Sequence, residues 1–171
     1  MVGNLNIPLT TLSIVGDTRI NTILTDVEDK TQTRVSAPGP RVSQKDLGVF
    51  LKKLLSIRPK PLFWVFGGSL SVGMPVRTYE KLIHALQKNG TPCVLDTDNE
   101  ALKWGIRAKP FLVKPNEYEI QRLCRRNLKR TEDYLDAAKS LVKTGIQIVI
   151  VSLGAKGALF VTEKESFQVL P

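Results

Sequence analysis

Short apolar runs alternate with helix-like segments through most of this chain, and that alternation constrains its fold more than any other feature. The apolar runs are suited to buried strands: "PLFWVFGGS" (61–69), "PCVLDTD" (92–98), "PFLVKPN" (110–116) and "IQIVIVSLG" (146–154). The first is almost wholly apolar and is expected to be covered on both faces. A parallel neighbour can be reached only through a crossover, and helical crossovers place helices against the sheet. The alternation therefore predicts an α/β fold, with a mostly parallel sheet and helices on both faces.

The predicted helices have their own start and stop features. Ser43 and Asp46 resemble a capping box, and the apolar residues after them recur at helical spacing. A second helix, around Leu82 and Ile83, should stop at Asn89-Gly90, as a left-handed C-cap requires. Further helices are predicted in "NEALKWGIRA" (99–108), "EYEIQRLCRRN" (117–127) and Thr131–Lys143, and a hairpin should close the chain.

The first 40 residues are predicted to be β-rich. Strands are expected at Thr10–Val15, Arg19–Thr25 and Thr31–Ala37, and the last two should form a hairpin around the polar "DVEDK". The prolines and glycine of "APGP" end this sheet. We therefore predict a small β lid in residues 1–40 and an α/β core in residues 41–171.

The chain is basic, with 25 Lys and Arg against 16 Asp and Glu and a net charge of +9. Such a balance favours anionic partners. Part of the excess lies in "RLCRRNLKR" (122–130), where a solvated helix end and loop is the alternative explanation. No nucleic-acid partner is expected, because interleaved aromatic residues, zinc-ligand spacing and RNA-binding signatures are missing from the sequence.

Cysteine content and hydropathy predict a cellular compartment. Cys93 and Cys124 form no close pair, which fits a reduced, cytoplasmic protein. The amino-terminal residues do not resemble a signal peptide, and no run of about 18 apolar residues occurs. We therefore expect no membrane association.

Ligands of open α/β sheets bind at the carboxyl ends of the strands. Four unusual segments fall there: "GGSLSVG" (67–73), "LDTDNE" (95–100), "VKPNEYE" (113–119) and "VSLGAKG" (151–157). In the third, Asn116 suits an N-cap and Glu119 would complete a capping box, which is a purely structural explanation. The helix start and Lys114 would also attract phosphate, and Glu119 would position Mg²⁺ through water. The two interpretations are compatible.

The glycine-bearing segments are less specific. "GGSLSVG" lacks the Gly-Lys-Ser/Thr ending of a Walker loop, and "SLGAKG" contains only Gly154 and Gly157, so flexible loops remain the alternative for both. His84 is the only histidine and lies off the apolar face of its helix, which predicts a surface position. That leaves no Ser-His-Asp triad and no histidine-based metal site in the sequence.

Several motifs, taken in order, resemble one family of enzymes. They are "GDTRIN", "APGP", "GGSLSVGMP", "LDTDNEALKWG", "KPFLVKPNEYE" and "IQIVIVSLGAKGALFV". Their order and spacing resemble the PfkB group of ribokinase-like carbohydrate kinases, and within it the branch of 1-phosphofructokinase and tagatose-6-phosphate kinase. The resemblance extends from about Ser13 to Val169. It implies a ribokinase-like core with a β lid and the transfer of phosphate from ATP to a sugar phosphate.

The resemblance implies which residues would hold the sugar. Arg19 and Asn21 match lid residues that bind the phosphorylated sugar, where a guanidinium can grip phosphate at two points. Gly68 and Ser69 fall in the substrate loop of the family. Ser71-Val72 stands where that loop usually carries two prolines. A phosphorylated hexose is therefore the expected substrate.

The same resemblance implies an ATP and magnesium site. Asp96 would lie beside the phosphates, and with Glu119 it would organise Mg²⁺. The residues expected to contact the nucleotide are Lys114, Asn116, Ser152, Gly154 and Gly157. ATP and Mg²⁺ are the implied cofactors.

Two family elements have no counterpart in these 171 residues. One is an early sugar-binding segment with paired glycines and an aspartate; the other is a G-A-G-D element that supplies an anion hole and the catalytic base. Gly16-Asp17 is the only Gly-Asp pair and lies in the wrong context. We therefore expect a truncated central portion of such a kinase, inactive alone and with no catalytic residue assigned. The alternative is a non-catalytic binding module or partner subunit, and a homodimer through the lid strands is expected.

Overall fold

The computed structural model describes residues 9–171, so residues 1–8 of the predicted lid, with the signal-peptide expectation they carry, lie outside the described residues. The described elements are β1 (Asn21–Asp26), β2 (Thr31–Ser36), α1 (Gln44–Ser56), β3 (Trp64–Gly67), α2 (Thr78–Lys88), β4 (Cys93–Asp96), α3 (Asn99–Gly105), β5 (Leu112–Val113), α4 (Glu117–Cys124), α5 (Thr131–Val142), β6 (Ile148–Ser152), β7 (Ala158–Val161) and β8 (Ser166–Val169).

Contacts divide the chain into two compact units. The first unit comprises Met1–Leu54 with Ser71–Met74, and the second comprises Leu55–Leu70 with Pro75–Pro171. The boundary at residue 40 between a lid and a core stays a prediction.

The first unit contains the predicted hairpin. Strands β1 and β2 pair antiparallel, from Asn21 opposite Ser36 to Asp26 opposite Thr31. The turn between them is held by the Asp26 carboxylate, which accepts hydrogen bonds from the amides of Glu28 and Asp29 at 2.9 and 3.0 Å. Arg19 lies just before β1 rather than within it.

The prediction of a strand at Thr10–Val15 is wrong. These residues have no regular secondary structure. Their alternating pattern suits a strand, but a strand also needs a neighbour for its backbone hydrogen bonds. β1 pairs with β2 alone among the described strands, so this segment finds no ladder.

The start of α1 follows the predicted capping box. The Ser43 amide donates a hydrogen bond to the Asp46 carboxylate at 2.9 Å, and the Asp46 amide donates to the Ser43 hydroxyl at 3.1 Å. These bonds satisfy amides that a helix start leaves without partners. The Ser43 hydrogen bonds also lower the pKa of Asp46.

The second unit is built on one mixed sheet of six strands, in the order β3-β4-β5-β6-β7-β8. β3 to β6 are parallel, while β6, β7 and β8 pair antiparallel. The parallel strands are joined by α2, α3 and the pair α4–α5, as short crossovers require. A mostly parallel sheet with flanking helices, and the closing hairpin, are confirmed.

The core lies on one face of this sheet. Leu95, Val113, Val149, Val151 and Val161 are fully buried, and each contributes about 1.5–3 kcal/mol through burial. Their neighbours along the strands are only half-buried. The helices α2 to α5 contact the strands of this sheet.

The expectation that the apolar run of β3 is covered on both faces is wrong. β3 is an edge strand of the six-stranded sheet, with β4 as its neighbour. Val65 is 69% exposed, whereas Phe66 on the opposite face is buried. A face is buried only where other elements pack on it, and the exposed Val65 side chain shows that its face is left open here, so an apolar sequence does not ensure two-sided burial.

Several local predictions are confirmed. α2 is followed by Gly90 with a φ of +82°, the left-handed stop expected after Asn89. His84 is exposed. The segment 122–130 forms the end of α4 and a loop whose basic residues are exposed, whereas its Leu128 is buried. The helix ends at Cys124, where Arg125 adopts a φ of +52°.

Candidate phosphate-binding site

Asp96 and Lys114 meet where β4 and β5 end. The Lys114 ammonium lies 3.2 Å from the Asp96 carboxylate, and both side chains are nearly half exposed. The backbone brings them together, because the Lys114 amide donates a hydrogen bond to the carbonyl of Leu95 at 3.2 Å. A cation and a carboxylate therefore share the carboxyl edge of the sheet, where phosphate and a divalent cation could both be balanced.

The capping box at the start of α4 is present. The Asn116 side chain accepts a hydrogen bond from the Glu119 amide at 3.0 Å, and the Asn116 amide donates to the Glu119 carboxylate Oε2 at 2.8 Å. The structural role predicted for both residues is thereby confirmed. Asn116 also forms a parallel bridge with Ser152, which places the end of β6 directly beside this helix start.

The two glycines after β6 differ in their surroundings. Gly154 has a φ of +56°, and a Cβ there would meet nothing within 4 Å. A Cβ on Gly157, with a φ of +84°, would lie only 1.9 Å from the carbonyl oxygen of Val169. Gly157 is therefore required by the close approach of β8, while Gly154 faces open space where a ligand could approach the backbone.

Gly68 directly follows β3 at the same edge. Its amide donates a hydrogen bond to the Asp96 carbonyl at 2.9 Å. Its carbonyl accepts hydrogen bonds from the Tyr79 and Thr97 hydroxyls, both at 2.8 Å. Gly68 has a φ of +88°, and a Cβ on it would meet no atom within 4 Å, so its outer face is open.

Predicted site residues are thus neighbours within the second unit. Gly68 bonds the backbone of Asp96, Asp96 pairs with Lys114, and Asn116 adjoins Ser152. Arg19 and Asn21, which were predicted to bind the sugar phosphate, are exposed residues of the first unit. Arg19 lies beside Gly39 there.

The donor set fits a magnesium ion that is held mainly by phosphate. Mg²⁺ prefers oxygen ligands and is commonly held by one or two carboxylates together with substrate phosphates. Asp96 and Glu119 supply the carboxylates at this edge. Among residues 9–171, no group of three or more His, Cys, Asp or Glu side chains could hold a metal by itself.

A contact between α3 and α4 was not predicted. The Arg122 guanidinium donates a hydrogen bond to the side-chain oxygen of Asn99 at 2.5 Å. Asn99 has a φ of +50°, a conformation that asparagine tolerates better than most residues. Beside this bond lies a cavity of about 290 Å³, which Glu119 and Lys103 help to line. Nothing in the sequence indicated that Arg122, a basic residue on the exposed face of α4, would contact α3.

A second cavity lies at the opposite edge of the sheet. It has a volume of about 570 Å³ and is lined by residues of α5 and the β7–β8 turn, including Lys139, Lys143 and Glu163. No predicted site residue lines it.

The described part of the chain contains no helix long and apolar enough to cross a membrane.

Comparison with known proteins accounts for the order of these motifs. The 1-phosphofructokinase of Bacillus subtilis is 34% identical over 151 residues, which cover 88% of this chain and 48% of that protein. The ATP-dependent 6-phosphofructokinase isozyme 2 of Escherichia coli is 32% identical over 168 residues, covering 97% of this chain and 54% of that protein. The chain spans about half the length of the curated relatives it matches.

Solved structures show the same fold. The phosphofructokinase-2 of Escherichia coli in complex with fructose-6-phosphate matches with a TM-score of 0.90 and 31% identity, over 99% of this chain and 56% of that one. A tetrameric inhibited form of the same enzyme matches equally well, with a TM-score of 0.90. The family profile described as pfkB family carbohydrate kinase matches residues 3–171. The chain, with its ribokinase-like α/β fold, therefore belongs to the pfkB family of carbohydrate kinases.

Proposed function

We propose that this chain carries the phosphate-binding part of an ATP-dependent sugar-phosphate kinase that acts on a phosphorylated hexose, with 1-phosphofructokinase as the specific activity. The observation that supports it most is the Asp96–Lys114 pair, which adjoins the capped start of α4 at the carboxyl edge of the sheet. Both relatives are named as phosphofructokinases, which supports a phosphorylated hexose as the substrate, and the name 1-phosphofructokinase supports the specific activity.

In this proposal the γ-phosphoryl group of ATP passes to a hydroxyl of the sugar phosphate. A new O–P bond forms, the bond to the ADP oxygen breaks, and the hydroxyl gives up its proton. Lys114 and the amides at the start of α4 would offset the charge on the phosphates. Mg²⁺, when bound at Asp96 and Glu119, would neutralise further charge on the transferring group.

The nucleotide would lie along the loop after β6. Ser152 is beside Asn116, and Gly154 leaves the backbone open to a ligand. Gly157 would contribute by shaping the loop rather than by admitting the nucleotide, because β8 already occupies the space beside its Cα. On the sugar side, Gly68 and Ser69 would form the substrate loop. The roles of Arg19 and Asn21 of the first unit as ligands of the sugar phosphate stay predictions from the family resemblance.

The base that accepts the hydroxyl proton is not assigned among these residues. The 171-residue polypeptide contains no Gly-Ala-Gly-Asp segment. Loss of a general base costs about 10²–10⁴-fold in rate. We therefore propose that this polypeptide, assayed alone, binds its ligands but turns over far more slowly than a complete kinase. The alternative function, a non-catalytic binding module, predicts the same binding with no turnover at all.

Isothermal titration calorimetry of the 171-residue chain tests this proposal. Saturable binding of ATP with Mg²⁺, and of fructose 1-phosphate, is expected. Lys114→Ala should weaken ATP binding, whereas Lys139→Ala, which alters a lysine at the opposite edge, should leave it unchanged. The absence of any ATP binding, or an equal effect of both substitutions, would contradict the proposal. A coupled assay with fructose 1-phosphate then separates slow turnover from none.

A further inference from the structure

Two buried hydroxyl groups converge on one backbone oxygen. Tyr79 on α2 and Thr97 after β4 each donate a hydrogen bond of 2.8 Å to the carbonyl of Gly68. Tyr79 is 8% exposed and Thr97 is 4% exposed. The two donors come from different elements, so the end of β3 is attached to both α2 and the β4–α3 turn.

The hydroxyls do more than fill space. Phenylalanine and valine would occupy nearly the same volumes without the cost of burying a hydroxyl, which is recovered only through a hydrogen bond. A carbonyl oxygen has two lone pairs and can accept both of these hydrogen bonds. On the other side of its Cα, Gly68 donates its amide to the Asp96 carbonyl at 2.9 Å. Both peptide groups that flank the Gly68 Cα are therefore held.

We propose that Tyr79 and Thr97 are positioning residues for the sugar-phosphate loop. By holding the Gly68 carbonyl inward they orient the peptide that leads into Ser69, and the open outer face of Gly68 is presented to the phosphorylated sugar. The inference rests on the proposed function, since it deepens the role assigned there to Gly68 and Ser69.

The two hydrogen bonds from Tyr79 and Thr97 to the Gly68 carbonyl, here called the Gly68 anchor, also join the two halves of the candidate site. Thr97 directly follows Asp96, whose carboxylate pairs with Lys114 on the phosphate side. The same turn therefore holds the substrate loop through its hydroxyl and carries the carboxylate beside the phosphates. Asp96 itself is held by other contacts, the Gly68 amide on its carbonyl and Lys114 on its carboxylate, so loss of the hydroxyls should disturb the substrate loop and not the phosphate side. Fixing the orientation of the loop in advance lowers the entropy lost when the sugar phosphate binds.

The test uses Tyr79→Phe, Thr97→Val and the double variant in the 171-residue chain. A hydrogen bond of this kind is worth about 0.5–1.5 kcal/mol, or roughly 2- to 13-fold in affinity. Each single substitution should raise the Kd for fructose 1-phosphate by that factor, while the Kd for ATP with Mg²⁺ stays within about twofold. Hydrogen exchange of the Gly68 amide should accelerate in the double variant.

The controls separate positioning from general stability. Thr144→Val removes a hydroxyl that bonds the Leu141 carbonyl at the opposite edge of the sheet, and it should change neither Kd. Thr97→Ser keeps the hydroxyl and should bind fructose 1-phosphate like the unaltered chain. If Thr97→Val fails to fold, Tyr79→Phe carries the same measurements.

Two outcomes would overturn the inference. One is an unchanged fructose 1-phosphate affinity in a folded Tyr79→Phe variant, and the other is an equal loss of affinity for both ligands. If the unaltered chain binds no sugar phosphate, the proposed function fails. Exchange of the Gly68 amide then decides the anchor separately: acceleration in the variants supports it, and no change refutes it.

Discussion

At the scale of single residues, Glu119 serves the helix start and has a predicted role in the site. One carboxylate oxygen accepts the Asn116 amide and completes the capping box. The family resemblance also predicts that Glu119 helps to hold Mg²⁺ at this helix start, which lies beside Ser152. Because an amide oxygen can replace the cap but cannot replace the charge, one substitution distinguishes the two roles.

We expect Glu119→Gln to leave the stability nearly unchanged and to weaken Mg²⁺-dependent ATP binding. Glutamine also completes a capping box, but it removes the negative charge that a hard cation prefers. Urea denaturation and ATP titrations with and without Mg²⁺ would measure the two effects. Asn116→Ala is the matched variant, with an expected cost of about 1 kcal/mol from loss of the cap. If Glu119→Gln lost as much stability as Asn116→Ala, the capping role and the magnesium role of Glu119 could not be separated in this way, and the prediction would be wrong.

The two loop glycines give a second prediction at this scale. Gly157→Ala should destabilise the fold by more than about 2 kcal/mol, because the new Cβ would collide with the Val169 carbonyl and the φ is positive. Gly154→Ala should cost about 1 kcal/mol, since only the backbone preference opposes it. Thermal denaturation of both variants measures the difference, and similar costs would show that β8 does not press on Gly157.

At the scale of elements, cation–π contacts connect the start of α2 with α3. The guanidinium carbons of Arg77 and Arg107 lie 4.8 and 4.7 Å from the centre of the Trp104 ring. Arg77 also pairs with Glu80, whose side chain is only 8% exposed. The arrangement combines cation–π contacts with a largely buried carboxylate that has a charged partner.

This cluster predicts a pH dependence of stability. The hydrogen bond from Arg77 lowers the pKa of Glu80 below its ordinary 4.5, and the charges of Arg107 and His84 act in the same direction. A lowered pKa contributes stability that is fully present above pH 4.5 and is lost as the pH falls through the folded value.

Glu80→Gln should therefore cost about 1 kcal/mol at neutral pH, because a charged hydrogen bond is lost to a half-exposed arginine. The difference from the unaltered chain should shrink below pH 4.5. Denaturant titrations well above and well below that pH would measure it. Glu100→Gln, which alters an exposed carboxylate that pairs with Lys103, is the control. A difference that stays constant with pH would contradict the assignment.

At the scale of the whole molecule, the hairpin of the first unit leaves apolar side chains exposed. All residues of β1 and β2 are exposed, and Leu24 and Val35 are 59% and 56% exposed. Both strands also have an edge with no neighbour among the described strands. Such edges and apolar surfaces favour association with a second copy.

We expect the chain to sediment as a dimer through this hairpin. Joint substitution of Leu24 and Val35 by lysine should give a monomer, because charges on the hairpin disfavour its burial. Leu62→Lys, at another exposed leucine, should leave the dimer intact. Sedimentation velocity measures the state, and a monomer for the unaltered chain would refute the prediction.

Much of the architecture could be predicted because its determinants are local. The capping boxes at Ser43 and Asn116 join residues three apart, and Gly90 ends α2 through its own backbone preference. The α/β class followed from the alternation of strand and helix patterns. Local pattern failed at Thr10–Val15 and Val65, because a ladder partner and a covered face come from other parts of the chain.

The sequence by itself determined the order of elements, the caps and the family, since each depends on neighbouring residues or on motifs in a given order. Only the tertiary structure decided the pairing of Asp96 with Lys114, the contact of Gly157 with Val169, and the two hydroxyls on Gly68. These contacts join residues 11 to 29 positions apart, and folding alone determines which of them meet.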